Sequence, residues 1–313
     1  MKLQAERRLC HARSPFFRAV IRSVPYGQPR SALAPPYQMK YRPCGMGAEK
    51  GMKIEDSIRR KTGNRFLAAM PAGVWDDLKP HLELVELASG HVLCTSGKPL
   101  TEVHFPLTGT IVSVLVSLRD GPAVEATMIG REGVVGGIVA GAGHPSFARA
   151  IAQVAGWSAR ISATRLQETK ERSPKLRDLF ARYADALLAQ LLQSVVCNAF
   201  HPMQQRLARR LLSTHDRIGT HELPLTQDYL AQTLGVHRST VIRVARSLQE
   251  NGVIEYARGR IAILDRSKLE KVACECNGAI ARHFERVLPQ TAEQRSNNTK
   301  GAIRRRQRPE NYP

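Results

Sequence analysis

Residues 225–254 read LTQDYLAQTLGVHRSTVIRVARSLQENGVI, the pattern of two short helices separated by a glycine turn. Thr226 stands where a side-chain oxygen caps the first helix. Leu230, Ala231 and Leu234 give that helix a narrow apolar face, and Gly235 can take the left-handed conformation that ends it. A second helix starts near Arg238. At roughly 100° per residue, Val241, Val244, Ala245 and Leu248 share one side of it, Ser239, Arg243 and Arg246 the other, and Arg238 and Ile242 the borders. One side is built to pack and the other is left free. Asn251-Gly252 ends this helix, and EYARGRIAILD (255–265) follows as two strand-like runs with Arg258, Gly259 and Arg260 at their turn. Together these segments predict a winged helix-turn-helix. Arginines beside small hydroxyl residues at the start of an exposed helix suit base edges in the major groove of double-stranded DNA.

Charge points the same way. The 313 residues carry a formal net charge of +20. Residues 1–61 hold 14 basic and 4 acidic side chains, residues 62–200 hold 13 and 12, and residues 201–313 hold 20 and 11. The excess at the C-terminal end predicts a polyanionic partner, bound with a salt-sensitive, sequence-independent component. Residues 1–61 read as a disordered basic extension without a secretory or membrane-spanning run, and Met46 and Met52 each offer a downstream start. Six cysteines, at 10, 44, 94, 197, 274 and 276, form no CxxC pair and no zinc-ribbon spacing. The expectation is a reduced cytoplasmic protein with structural thiols and no metal site; the close pair Cys274 and Cys276 leaves a redox or metal role open.

Between these ends, FLAAMPAGVWDDLKP (66–80) reads as one or two short helices. Strand-like runs follow at 82–87, 91–94, 103–105, 110–118, 124–129 and 150–154, separated by glycine-containing turns, which argues for an antiparallel jelly roll or barrel. Ser173-Pro174 then opens a long helix running to about Asn198. Leu176, Leu179, Phe180, Tyr183, Leu187, Leu191 and Val195 form a near-heptad stripe along it, read as the seam with a second copy of the chain. The expected divisions are 1–61 (basic extension), 62–172 (roll), 173–200 (dimerisation helix), 201–276 (winged helix) and 277–313 (a helix and basic tail).

The order of roll, long helix and winged helix resembles the cyclic-AMP receptor protein and fumarate-nitrate regulator (Crp/Fnr) family of bacterial transcription regulators. The resemblance covers about residues 64–275 and is closest at IGREGVVG (129–136), HPMQQRLARRLL (201–212) and LTQDYLAQTLGVHRSTV (225–241). It implies an α+β chain: an N-terminal antiparallel β jelly roll like a cyclic-nucleotide-binding domain, a dimerisation helix and a C-terminal winged helix-turn-helix. It further implies a cytoplasmic homodimer on a palindromic operator, contacting RNA polymerase if it activates, with no membrane partner. Carried over by motif, Arg238, Ser239, Thr240 and Arg243 contact bases, while Thr226, Gln227, Arg246, Arg258 and Arg260 hold the backbone. Ser239 replaces the family's usual glutamate, so the preferred triplet need not be the usual one.

In the roll, Gly130, Arg131, Glu132, Ser146 and Arg149 are the effector-pocket candidates. Cyclic-nucleotide binders in the family follow Gly-Glu with Arg-Ser or Arg-Thr; here His144-Pro145-Ser146 stands in that place and Arg149 precedes Ala150, so a cyclic phosphate lacks its charge partner. Only Cys10 and Cys44 precede the roll, too few for an iron-sulfur cluster held by cysteines alone. Haem needs as little as one histidine, and His81, His91, His104 and His144 keep it open. Two other readings stand beside this one: a constitutive or thiol-responsive regulator with a degenerate sensor, using Cys197 or the Cys274–Cys276 pair, and a cupin-like enzyme. The absence of His-x-His, HExxH, GxSxG and a P-loop argues against catalysis.

Overall fold

The computed structural model describes residues 63–119, 123–138, 144–257 and 259–288; the readings made for residues 1–61, for the basic tail and for Arg258 lie outside them. Asn64 anchors the first described helix, α1 (Arg65–Ala68): its side-chain oxygen accepts from Leu67 N at 3.0 Å, and its Nδ2 donates to the carbonyls of Pro106 and Gly133. One cap residue therefore fixes the helix and ties it to the roll. After α2 (Ala72–Leu78) come seven strands: β1 (Glu83–Leu87), β2 (Val92–Cys94), β3 (Glu102–Pro106), β4 (Ile111–Ser117), β5 (Ala123–Ile129), β6 (Arg149–Val154) and β7 (Gly156–Ser162). They form two antiparallel sheets, ordered β1-β7-β3 and β2-β6-β4-β5.

Two elements of the roll were absent from the sequence reading. Strand β7 is the centre of its sheet, pairing Glu83–Leu87 on one side and Glu102–Pro106 on the other. Trp157, Ala159 and Ile161 alternate with Ser158, Arg160 and Ser162 as a strand requires, but Ala155 alone separates β7 from β6, so the boundary carries no extended turn signal. It leads into α3 (Ala163–Arg172), whose Leu166 reaches the core.

Helix α4 (Pro174–Phe200) starts as predicted: Ser173 Oγ accepts from Leu176 N at 3.2 Å, with proline in the first turn. The predicted seam has to be corrected. Leu176, Leu179, Phe180, Tyr183 and Leu187 are buried in the chain's own core, where Phe66 meets Phe180 and Tyr183 edge to face. Further along, Leu191 of the stripe is half-buried and Val195 is exposed, and Val195 joins Leu188, Leu192, Val196 and Phe200 in the exposed apolar face of α4. The roll takes the first half of the stripe, where charged residues cover the opposite side, whereas the stretch 186–200 carries no charge and is left with a second apolar face to satisfy.

His201-Pro202 breaks the helix, and α5 (Met203–Ile218) leads into the reader: β8 (Glu222–Leu223), α6 (Gln227–Leu234), α7 (Arg238–Glu250), β9 (Ile254–Ala257), β10 (Arg260–Ile263) and α8 (Arg266–Val272). The wing has three strands, β8-β10-β9, one more than expected. Helix α9 (Cys276–Val287) turns back antiparallel along α4: Gln193 meets Cys276, Asp185 meets His283 at 2.7 Å, and Tyr183 packs on Phe284. Phe284 and Leu288 thereby enter the roll's core. Among the described residues, no helix is long and apolar enough to cross a membrane.

Candidate nucleic-acid interface

The reader is assembled by the local signals read above. Thr226 Oγ1 accepts from Tyr229 N at 3.1 Å to cap α6, and Gly235, at φ 65°, ends it in the left-handed region. The chain then re-enters helix after His237. Val241, Ala245 and Leu248 are buried, and Ile254, Ile261 and Ile263 of the wing close the core beneath them. This packing holds the other side of α7 outward. Arg238, Ser239, Arg243 and Arg246 are exposed there, while Thr240 is half-buried.

Arg238 rests on the start of α6, its Nε donating to Gln227 Oε1 at 3.2 Å and lying 3.5 Å from Asp228. Two residues assigned to the DNA backbone thus have jobs within the protein: Thr226 caps and Gln227 holds Arg238. No carboxylate among the described residues pairs with Arg243 or Arg246, so their charges are available to a polyanion. Arg260 lies at the wing turn, 3.3 Å from Glu222, and Gly259 takes φ 73°.

Sequence reasoning missed the contact between reader and roll. Glu125 on β5 accepts from the two terminal guanidinium nitrogens of Arg210 (α5); Tyr229 (α6) donates to its Oε2 at 2.8 Å and Ser113 (β4) at 2.6 Å. Arg210 also donates to the Tyr229 hydroxyl. The Arg210 and Glu125 side chains are 10% and 3% exposed. Burial opposes the Arg210 charge, but the Glu125 carboxylate more than offsets it and holds the guanidinium protonated; burial also raises the Tyr229 hydroxyl. Gln232 of α6 adds a bond to the Ala123 carbonyl at 3.1 Å. A second tie lies nearby. Arg217 Nε donates to Glu132 at 2.8 Å and its NH2 to Gln190, while Gln190 bonds Thr127 and the Met128 carbonyl.

These bonds bear on the effector candidates. Glu132 is engaged by Arg217 and by its neighbour Gly130 N (3.1 Å). Arg131 carries the carbonyl that accepts from Arg65 N. The Ser146 hydroxyl donates to the Ala148 carbonyl at 2.7 Å, and Arg149 is half-buried at the start of β6. Of the four roll histidines, His81, His91 and His144 are exposed, whereas His104 is 3% exposed on β3. Burial, with Arg160 adding repulsion, lowers His104 to about 4. Glu102, 3.6 Å away, gives little relief because Arg160 already neutralises it at 3.0 Å.

The fold also gathers groups that the sequence scatters. Cys197, His201, Cys274 and Cys276 place one ligand atom each within 4.8 Å of all the others, while Cys94 lies apart in the roll. Burial raises the Cys197 and Cys274 thiols, the latter to about 12, so the thiolates need a neighbouring cation to form at neutral pH.

Residues 205–272 match the model of the Crp-like helix-turn-helix domain. No curated protein matches the chain. Among solved structures, FixK2 from Bradyrhizobium japonicum is 16% identical, with a TM-score of 0.54 over 62% of this chain and 98% of that one. The c-di-GMP responsive global regulator CLP of Xanthomonas campestris is 17% identical (TM-score 0.51; 62% and 100% covered). TTHA1359 from Thermus thermophilus, a transcriptional regulator of the CRP/FNR family, is 24% identical (TM-score 0.51; 61% and 98% covered). The chain thus carries a Crp-like helix-turn-helix domain, and its roll, long helix and winged reader together have the fold of the Crp/Fnr regulators.

Proposed function

We propose that this chain is a homodimeric, sequence-specific DNA-binding transcription regulator. The observation that carries the reading is the outward row of Arg238, Ser239, Arg243 and Arg246 on α7, held opposite its buried Val241, Ala245 and Leu248. Arg238 and Arg243 read guanine edges bidentately, with Ser239 and Thr240 beside them; Thr226, Gln227, Arg246, Arg258 and Arg260 position the phosphate backbone. On DNA, Arg238 exchanges Asp228 and Gln227 for a base, a small cost because that pair is exposed.

The exposed stripe of Leu188, Leu192, Val195, Val196 and Phe200 supports pairing of two α4 helices. A two-fold axis along that seam presents two α7 helices to half-sites about 34 Å apart. The Glu125–Arg210–Tyr229 and Glu132–Arg217 ties make the roll and the reader one mechanical unit. An effector in the roll acts by favouring one docking of the reader over another, with a coupling of about 1–3 kcal/mol. The Glu132–Arg217 bond supports an effector other than a cyclic nucleotide, because the carboxylate is already engaged.

Selection from a random DNA pool by the full chain tests this reading. Recovery of a palindrome with half-sites one helical turn apart, bound by a species sedimenting as a dimer, is the expected result. Salt-sensitive binding without enriched sequence, in the presence and absence of cell metabolites, would overturn it.

A further inference from the structure

We propose that Cys197, His201, Cys274 and Cys276 hold a single tetrahedral divalent transition-metal ion, Zn²⁺ by the chemistry of its ligands, which pins the α4–α5 bend to the start of α9. Cys197 lies on the last turn of α4 and His201 caps its end, one turn further on. Cys274 and Cys276 flank Glu275 where the chain leaves α8 for α9. The Cys197 and Cys274 sulfurs are 3.6 Å apart, and Cys276 Sγ is 3.5 Å from His201 Nδ1. A tetrahedral site with metal–sulfur bonds of about 2.3 Å has ligand–ligand edges of about 3.8 Å, so the four atoms already stand near the corners of one. An iron-sulfur cluster spreads its ligands over two or more irons and so needs a wider cage than four atoms all within 4.8 Å of one another.

The surroundings are those of a metal site. His201 turns Nδ1 to the sulfurs and Nε2 to the Glu275 carboxylate at 3.4 Å, the carboxylate–histidine arrangement that fixes the tautomer and orients a ligating imidazole. Gln193 Nε2 donates to Cys276 Sγ at 3.1 Å. Three thiolates and a dication leave one negative charge on the site. A Cys197–Cys274 disulfide would use two of the groups and account for neither the third thiol nor the imidazole beside it. All three cysteines are buried, and the four protein ligands fill the tetrahedron, so the site is structural with no position open for a substrate. It binds segments nearly eighty residues apart at the joint between long helix and reader.

The test is metal analysis of the full chain purified under reducing conditions from zinc-supplemented cells, followed by Co²⁺ replacement. About one zinc per chain is expected, with Co²⁺ giving thiolate charge-transfer absorption and the visible bands of a tetrahedral site. Cys276→Ser and His201→Ala should lose most of the zinc, whereas Cys94→Ser should keep it. Should those variants misfold, the cobalt spectrum of the unaltered chain still decides. Metal well below stoichiometry with no tetrahedral cobalt spectrum, an iron-sulfur chromophore, or a Cys197–Cys274 disulfide in anaerobically purified protein would each overturn the proposal. None of these readouts involves DNA, so the site and the regulatory reading stand or fall separately.

Discussion

Replacing Glu125 by Gln removes one charge from the centre of the roll–reader contact and changes its shape very little. In the parent protein Arg210 lies with its side chain 10% exposed and both terminal nitrogens on Glu125. The variant leaves that guanidinium buried with amide and phenol oxygens but no anion. Breaking a buried pair from one side costs about 3–5 kcal/mol. The protein has a cheaper escape than unfolding, because lifting α6 from β5 returns Arg210 to water. The docked arrangement should therefore weaken by up to the same amount, between about two and four powers of ten in its equilibrium constant at about 1.4 kcal/mol per decade. Hydrogen exchange reads this directly: amides of α6 and of β5 should lose protection in Glu125→Gln while those of β1 and β7 keep theirs. Adding Arg210→Met removes the stranded charge and should recover part of the loss, a non-additive cycle that denaturant unfolding can measure. A single variant costing less than about 1 kcal/mol, the range of an exposed pair, or a double variant as costly as the two singles added, would refute the argument.

Other consequences are as concrete. Because His104 is held neutral in the folded roll at a value of about 4 against 6.5 in the unfolded chain, the unfolded state binds more protons between those values. Stability should therefore fall by about 3 kcal/mol as pH drops from 6.5 to 4; the slope over that window should flatten in His104→Gln, and an unchanged slope counts against the buried neutral ring. A Cβ on Gly133 would overlap the Tyr183 hydroxyl and ring, so Gly133→Ala should cost about 1–3 kcal/mol in thermal unfolding. Leu192→Glu places a charge in the exposed stripe of α4 and should give a folded monomer on sedimentation; an intact dimer would move the seam elsewhere. Arg238→Ala should cost about 1–3 kcal/mol on the selected site and relax preference at one base pair, whereas equal losses on random DNA would make it a backbone contact.

The reader was legible because its signals are local. Thr226, Gly235 and the Val241, Ala245 and Leu248 face each act within one or two turns, and their meaning survives without the rest of the chain. Strand β7 has the alternation of a strand in Trp157, Ala159 and Ile161, but it follows β6 after a single residue, and its place at the sheet centre is set by neighbours on both sides. The α4 stripe is a seam candidate only toward its end, at Val195, because the roll takes Leu176, Leu179, Phe180, Tyr183 and Leu187, and periodicity alone does not reveal where a helix passes from its own core to a free face. Glu125, Arg210 and Tyr229 come together over separations of up to 104 residues, and no periodicity links them. The cysteine cluster lay between these cases. Cys197 and His201 have the four-residue spacing that puts two ligands on one side of a helix, and Cys274 and Cys276 make a close pair; their common focus needed the antiparallel return of α9.

That return also sets an order of events. The core of the first domain includes Phe284 and Leu288, the last residues described, alongside Phe66 and Phe105 near its beginning. During synthesis the roll emerges first but is left with an uncovered apolar patch until the reader has followed and the terminal helix has come out behind it. Such long-range closure slows folding and prolongs exposure of sticky surface. The earliest domain to be made is thus the last to be finished, and a ribosome that stalls before residue 284 releases a roll with its wall still open.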